Sequence, residues 1–259
     1  MTRRLPAIAT WLLLGDAVAA GLFWVLLQVP ESSSLMLAAS ALVIVAIAVV
    51  LLWVQGGALA AWRPERTPAA AFRRGLGQAG AVIGGCLVFW AVWWLTAVAA
   101  RWHGNHAGQI DAWIIARSGH SETAVLHRII VGVIWFLRWG LGVTLAGSLA
   151  AMLTAYGVSA IGRLGWLSRA LNPIRWVPVT LLVGVAMMLP WEYVYWRPAK
   201  LGLGAEAWFV AGKLGLMLVL WAVAAALIVR VVTPISAPTR SPSSASTPPP
   251  PATPPRAAA

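Results

Sequence analysis

Residues 129–153 read IIVGVIWFLRWGLGVTLAGSLAAML. The run is apolar or glycine throughout, apart from Arg138, Thr144 and Ser148. A bilayer core takes about 20 helical residues to cross, and this stretch is long enough. Helix is the state it must adopt there, because a strand surrounded by lipid leaves its N–H and C=O groups unpaired. The run therefore predicts a membrane-spanning helix with an arginine near its middle.

The same reading extends outward in both directions. Leu5–Val29, Leu35–Gln55, Gln78–Ala100, Trp176–Tyr195 and Ala207–Val229 are also apolar and of spanning length. The fold class expected is all-α: a polytopic membrane helix bundle of about six transmembrane helices over residues 1–232. Composition agrees. Of 259 residues, 60% are hydrophobic and 10% charged, with mean hydropathy +0.80. A soluble domain carries roughly 25% charged residues, too many for this chain to supply. Seventeen tryptophans suit membrane–water interfaces, where the indole keeps one apolar edge and one wet edge.

A net charge of +12 would suit nucleic-acid binding if it lay on one polar face, but it marks the ends of the apolar runs. Arg3, Arg4, Arg63, Arg66, Arg73, Arg74, Arg163, Arg169, Arg175, Arg230, Arg240 and Arg256 fall on one side of the expected membrane. Arg101, Arg117, Arg128, Arg197 and Lys200 fall on the other, with Asp111, Glu122 and Glu206 among them. The positive-inside rule then predicts an inner (plasma) membrane protein with both termini cytoplasmic. The partner expected is the bilayer itself, with anionic lipid at Arg63, Arg66, Arg73 and Arg74 in the linker Gly56–Gly77. No nucleic acid is expected, and no membrane-protein partner is identified. Arg3-Arg4 followed by an apolar run and Ala17-Val18-Ala19 also resembles a cleaved signal sequence, but the run continues apolar to Leu27, favouring an uncleaved helix.

Residues 101–128 read RWHGNHAGQIDAWIIARSGHSETAVLHR and separate the third span from the fourth. Ile110, Trp113 and Ile114 fall at helical spacing, predicting a short external amphipathic helix over 109–117 stopped by Ser118-Gly119. His103 and His106, joined by Gly104-Asn105, are expected in a loop. Ser121 and Glu122 suit the start of the next helix. All four histidines, His103, His106, His120 and His127, lie at this one membrane face. They are the candidate metal ligands, although interfacial hydrogen bonding is the simpler role for them. Haem is not expected, because none lies inside an apolar run. No cofactor is called for.

Charged groups within the spans are the other candidates, because at bilayer depth they are costly and face protein. At 1.5 Å per residue, Asp16 and Arg138 both lie roughly 15 Å deep, near the midplane of a ~30 Å core. Lys213 and Glu192 share a shallower level. Depth matching predicts two pairs, Asp16–Arg138 and Glu192–Lys213, with Trp135 offering Arg138 a ring face from the adjacent turn. Such pairs fix helix neighbours, and they are also where an ion path would run.

Gly80–Gly84 forms a GxxxG spacing, and Gly140, Gly142, Ala146 and Gly147 give the fourth span small residues for close approach. The connection 159–175 reads as a short interfacial helix and a turn at Asn172-Pro173, and Pro190 should kink the fifth span or end its regular part. From Thr233 the chain holds nine of its seventeen prolines with Ser, Thr and Ala, and is expected to be a disordered cytoplasmic tail over 233–259. No nucleophile elbow, HExxH, phosphate-binding glycine loop or paired-carboxylate motif occurs. The function expected is a non-enzymatic, permease-like or accessory membrane component. The alternatives are a redox or metal protein using the histidines, or a scaffold subunit of a membrane complex.

Overall fold

The computed structural model describes residues 4–30, 33–63, 66–119, 123–162, 165–195 and 202–233. These residues form helices and turns with no strand among them. In chain order the α-helices are α1 (Arg4–Gln28), α2 (Ser34–Ala61), α3 (Pro68–Arg73), α4 (Ala79–Ser118), α5 (Ala124–Phe136), α6 (Gly142–Tyr156), α7 (Gly165–Ala170), α8 (Pro173–Tyr195) and α9 (Leu203–Val232). A π turn, Leu137–Leu141, joins α5 to α6, and 3-10 turns occupy Gly75–Gln78 and Gly157–Ala160. Among the described residues five helical stretches are long and apolar enough to cross a membrane, so the chain is a membrane protein of the all-α class. In α8 the apolar stretch is the shorter Pro173–Met187. The expected tail beyond Thr233, and Ser121 and Glu122, lie outside the described residues.

One end of the bundle holds two clusters of buried apolar side chains. Ile8 and Leu12 of α1 meet Val54 and Ala58 of α2 and Ala222 and Ala226 of α9. Leu59, Ala150 and Val229 join α2, α6 and α9 nearby. Arginines tie the same end together. Arg4 donates to the Ala61 carbonyl at 3.2 Å and also to the Arg63 carbonyl, and Arg63 donates to the Thr154 carbonyl. The Ala61 and Thr154 carbonyls are among those that a helix C-terminus leaves open, where a cation also meets the favourable end of the helix dipole.

The linker Gly56–Gly77 is drawn partly into the bundle, with Ala71 and Gly75 buried. Its first part continues α2 to Ala61, with Gly56–Ala61 buried. Thr67 then caps α3, and Pro68 opens it, where a missing N–H costs nothing. The segment folds back because two glycines let backbones touch. A Cβ on Gly75 would stand 2.2 Å from the Trp53 carbonyl oxygen, and one on Gly56 would stand 2.3 Å from that of Gly75. Trp11 fills the corner, stacked on Phe72 at 4.4 Å and edge-on to Trp53 at 5.0 Å. Its N–H reaches the Val54 carbonyl at 3.0 Å.

α4 differs from the elements expected. It runs unbroken for 40 residues, or about 60 Å, twice a bilayer core. Its apolar part ends near Ala100, and Arg101–Ser118 extends past it. The expected loop at His103–His106 and the separate helix over 109–117 are both the continuation of α4. Gly104 and Gly108 weaken a helix by about 1 kcal/mol each, which is insufficient to stop it without a proline. The expected stop holds: Gly119 adopts φ 69° and its N–H closes on the Ile115 carbonyl.

The small residues of the fourth span serve three neighbours. Gly140 admits Thr180 and Trp176 of α8, Gly142 meets Phe89 of α4, and Gly147 meets Val232 of α9. Of the glycines in and beside the Gly80–Gly84 spacing, Gly85 makes the closest approach: a Cβ there would lie 2.9 Å from the Ala146 carbonyl oxygen. The 159–175 connection holds α7 and the turn as expected, with Asn172 accepting from the Ile174 N–H at 3.1 Å. α8 continues through Pro190 to Tyr195.

Candidate functional site

α4 and the α5–π turn–α6 unit form a long antiparallel hairpin, and polar side chains meet across it at two levels. The deeper level centres on Arg138. Its Nε donates to Thr96 Oγ1 at 3.0 Å. Thr96 in turn lies 2.9 Å from the Val92 and Trp93 carbonyls of its own helix, so its hydroxyl proton goes to the backbone and a lone pair remains for Arg138. The guanidinium carbon lies 4.3 Å from the centroid of the Trp93 ring. Trp139 packs edge-on to Trp93 at 5.4 Å, and Phe89 completes the aromatic wall. The guanidinium is thus flanked by a π face and a hydroxyl.

This corrects the pairing expected from depth. Arg138 makes no ion pair with Asp16; the ion pair among the described residues is His127–Asp111. α1 packs on α2, α3 and α9, whereas the π turn packs on α4, α6 and α8. Equal depth does not make neighbours of groups on opposite sides of a bundle. Asp16 Oδ2 is buried with no hydrogen-bond partner among the described residues. The ring face Arg138 uses also comes from Trp93 across the hairpin. Lys213 is buried, with its ammonium 4.3 Å from the Phe209 ring centroid. The side chain of Glu192 lies outside the described residues, so the Glu192–Lys213 expectation does too.

The π turn over Leu137–Leu141 contains Arg138 itself. Such turns are rare and recur at functional positions, because one extra residue re-aims the side chains around it. Thr144 and Ser148 of α6 and Thr180 of α8 are buried, and their hydroxyls lack a partner among the described residues.

The shallower level joins three residues in a row. His127 Nε2 lies 2.7 Å from Asp111 Oδ1, and His127 Nδ1 lies 3.1 Å from His103 Nε2. Asp111 is an anion acceptor, so His127 carries a proton on Nε2 and donates it there. That hydrogen bond, with a second from Thr123, holds the Asp111 carboxyl below its usual range. His103 is 8% exposed, lodged in the helix contact rather than in a loop.

The four histidines expected as one set divide. His103 and His127 meet. His106 turns to its own helix, its Nδ1 2.8 Å from the Trp102 carbonyl and its ring stacked on Trp102 at 4.7 Å. His120 lies outside the described residues. Among the described residues no three His, Cys, Asp or Glu side chains converge as a ready metal cage. Two participants escaped sequence reading: Thr96 and Asp111. Thr96 had a signal, being the only hydroxyl residue in Gln78–Ala100. Asp111 lies eight residues beyond His103, two helical turns on, which only a continuous helix makes meaningful.

Of the arginines expected to meet anionic lipid, Arg63 is engaged in closing a helix end, while Arg73 and Arg74 are exposed on α3 and its cap. No protein family, curated protein or solved structure matches the chain.

Proposed function

We propose that this chain is a non-enzymatic, permease-like component of the inner membrane, with both termini cytoplasmic, that takes up a small monovalent anion at Arg138. One observation carries the reading. Arg138 holds a permanent positive charge at the level of the bilayer midplane, and no carboxylate among the described residues neutralises it. A central arginine costs about 2.5–3.5 kcal/mol to insert, and a bound anion offsets that cost. Thr96 and Trp93 fix the guanidinium through Nε and one ring face, and neither supplies negative charge. A fixed cation at this depth repels protons and metal cations, which favours an anion over the ion paths otherwise open to such a protein. Arg66, Arg73 and Arg74 then serve as the contacts with anionic headgroups on the cytoplasmic leaflet.

Chloride efflux from vesicles containing the purified chain tests the proposal. Flux well above that of protein-free vesicles is expected, falling at least ten-fold in R138Q and partly kept in R138K. Flux equal to that of protein-free vesicles, or unchanged in R138Q, overturns it.

A further inference from the structure

We infer that His103 and His127 form a binding site for a divalent transition-metal ion of the zinc class at the end of the hairpin, with Asp111 as the group that orients it. The site is separate from Arg138 and does not depend on the anion reading. Three features point to it. First, the facing nitrogens, His103 Nε2 and His127 Nδ1, are 3.1 Å apart. Two imidazole nitrogens bound tetrahedrally to one zinc ion at 2.0–2.1 Å stand about 3.3 Å apart, so an ion enters with little movement.

Second, Asp111 accepts from the far side of the His127 ring at 2.7 Å. The proton is thereby held on Nε2, and the Nδ1 lone pair faces His103. A carboxylate behind a ligand histidine is the arrangement that fixes its tautomer and raises its basicity. In the metal-free chain His103 carries its proton on Nε2 and donates to His127. On metal binding that proton moves to His103 Nδ1, leaving two facing lone pairs with no net proton lost.

Third, both ligands stand on helices rather than loops, and His103 is buried in the contact between them, so the pair is held before any ion arrives. The ring centroids lie 5.0 Å apart at 41°, and water would fill the two remaining coordination positions of a bound ion. Imidazole pairs of this kind suit Zn²⁺, Ni²⁺, Cu²⁺ and Co²⁺ rather than Mg²⁺ or Ca²⁺. His106, committed to Trp102, takes no part.

Zinc titration of the full-length chain in detergent, followed by calorimetry, tests the site, with Co²⁺ absorption as a report on ligand type. One ion per chain is expected for the wild type. H103N and H127N should each lose saturable binding, D111N should bind about 10–100-fold more weakly, and H106N should match the wild type. Circular dichroism and gel filtration establish that each variant is folded. No saturable binding by the wild type overturns the inference without reference to any variant. So does binding that survives H103N or H127N, or that is lost equally in H106N.

Discussion

Arg138 reaches across the hairpin to Thr96, Nε to Oγ1 at 3.0 Å, and this bond joins the π turn to α4. Thr96 can accept because its own proton is already given to the backbone one turn earlier. Replacing Thr96 with valine keeps the shape and removes the acceptor. T96V is expected to lose about 1 kcal/mol, the scale of interhelical hydrogen bonds in membranes, while T96S stays near wild type. Unfolding of the purified chain by denaturing detergent measures both. Equal stability of T96V and T96S would show that the bond contributes nothing.

At the opposite end, Gly75 and Gly56 permit backbone contact that no side chain can share. The obstructing atoms are carbonyl oxygens, so the structure has no flexible tip to move aside. G75A should cost about 1–3 kcal/mol, as overpacking does elsewhere. G21A is the matched control: nothing lies within 4 Å of its added Cβ, and α1 gains up to about 1 kcal/mol of helix propensity. Melting temperatures of the two variants should therefore move in opposite directions.

Asp111 sets a pH dependence with a definite sign. Its folded value lies below the usual 3.8, so the His127 link is intact above that value and is lost as pH falls through the lowered one. Amide exchange over residues 105–118 should stay slow from neutral pH down to the ordinary carboxyl range and quicken only in stronger acid. D111N should exchange faster already at neutral pH. Indistinguishable exchange in D111N and wild type at neutral pH would remove Asp111 from the contact.

Arg63 closes the Thr154 carbonyl near the end of α6, joining the segment after α2 to the fourth span. R63Q is expected to destabilise the chain by about 1–2 kcal/mol, while the exposed Arg73, changed to glutamine, leaves folding unaffected and weakens only attachment to anionic lipid. Thermal unfolding and vesicle flotation separate the two effects.

The spans were legible because hydropathy reports burial in lipid directly, and Gly119 marked the end of α4 because few other residues take φ 69° there. The length of α4 was not legible. Gly104, Asn105 and Gly108 argue locally for a loop, and the contact of His103 and Asp111 with α5 overrides that preference. Depth was silent on which helices lie around Arg138. The short connection after Gly119 makes α4 and α5 neighbours, and Thr96 was the hydroxyl that the apolar part of α4 could offer. The π turn left no mark that hydropathy could register, because a one-residue change of phase does not alter the mean polarity of an apolar run.

That extra residue lets one continuous rod obey two registers. Above Leu137 the helix turns His127 toward α4, and below Leu141 it turns Gly142 to α4 and Gly147 to α9. An ordinary helix of the same sequence would rotate one of these sets away by about 100°. Removing a single residue from Leu137–Leu141 would therefore leave an ordinary helix in which the histidine end and the glycine contacts both still face their partners.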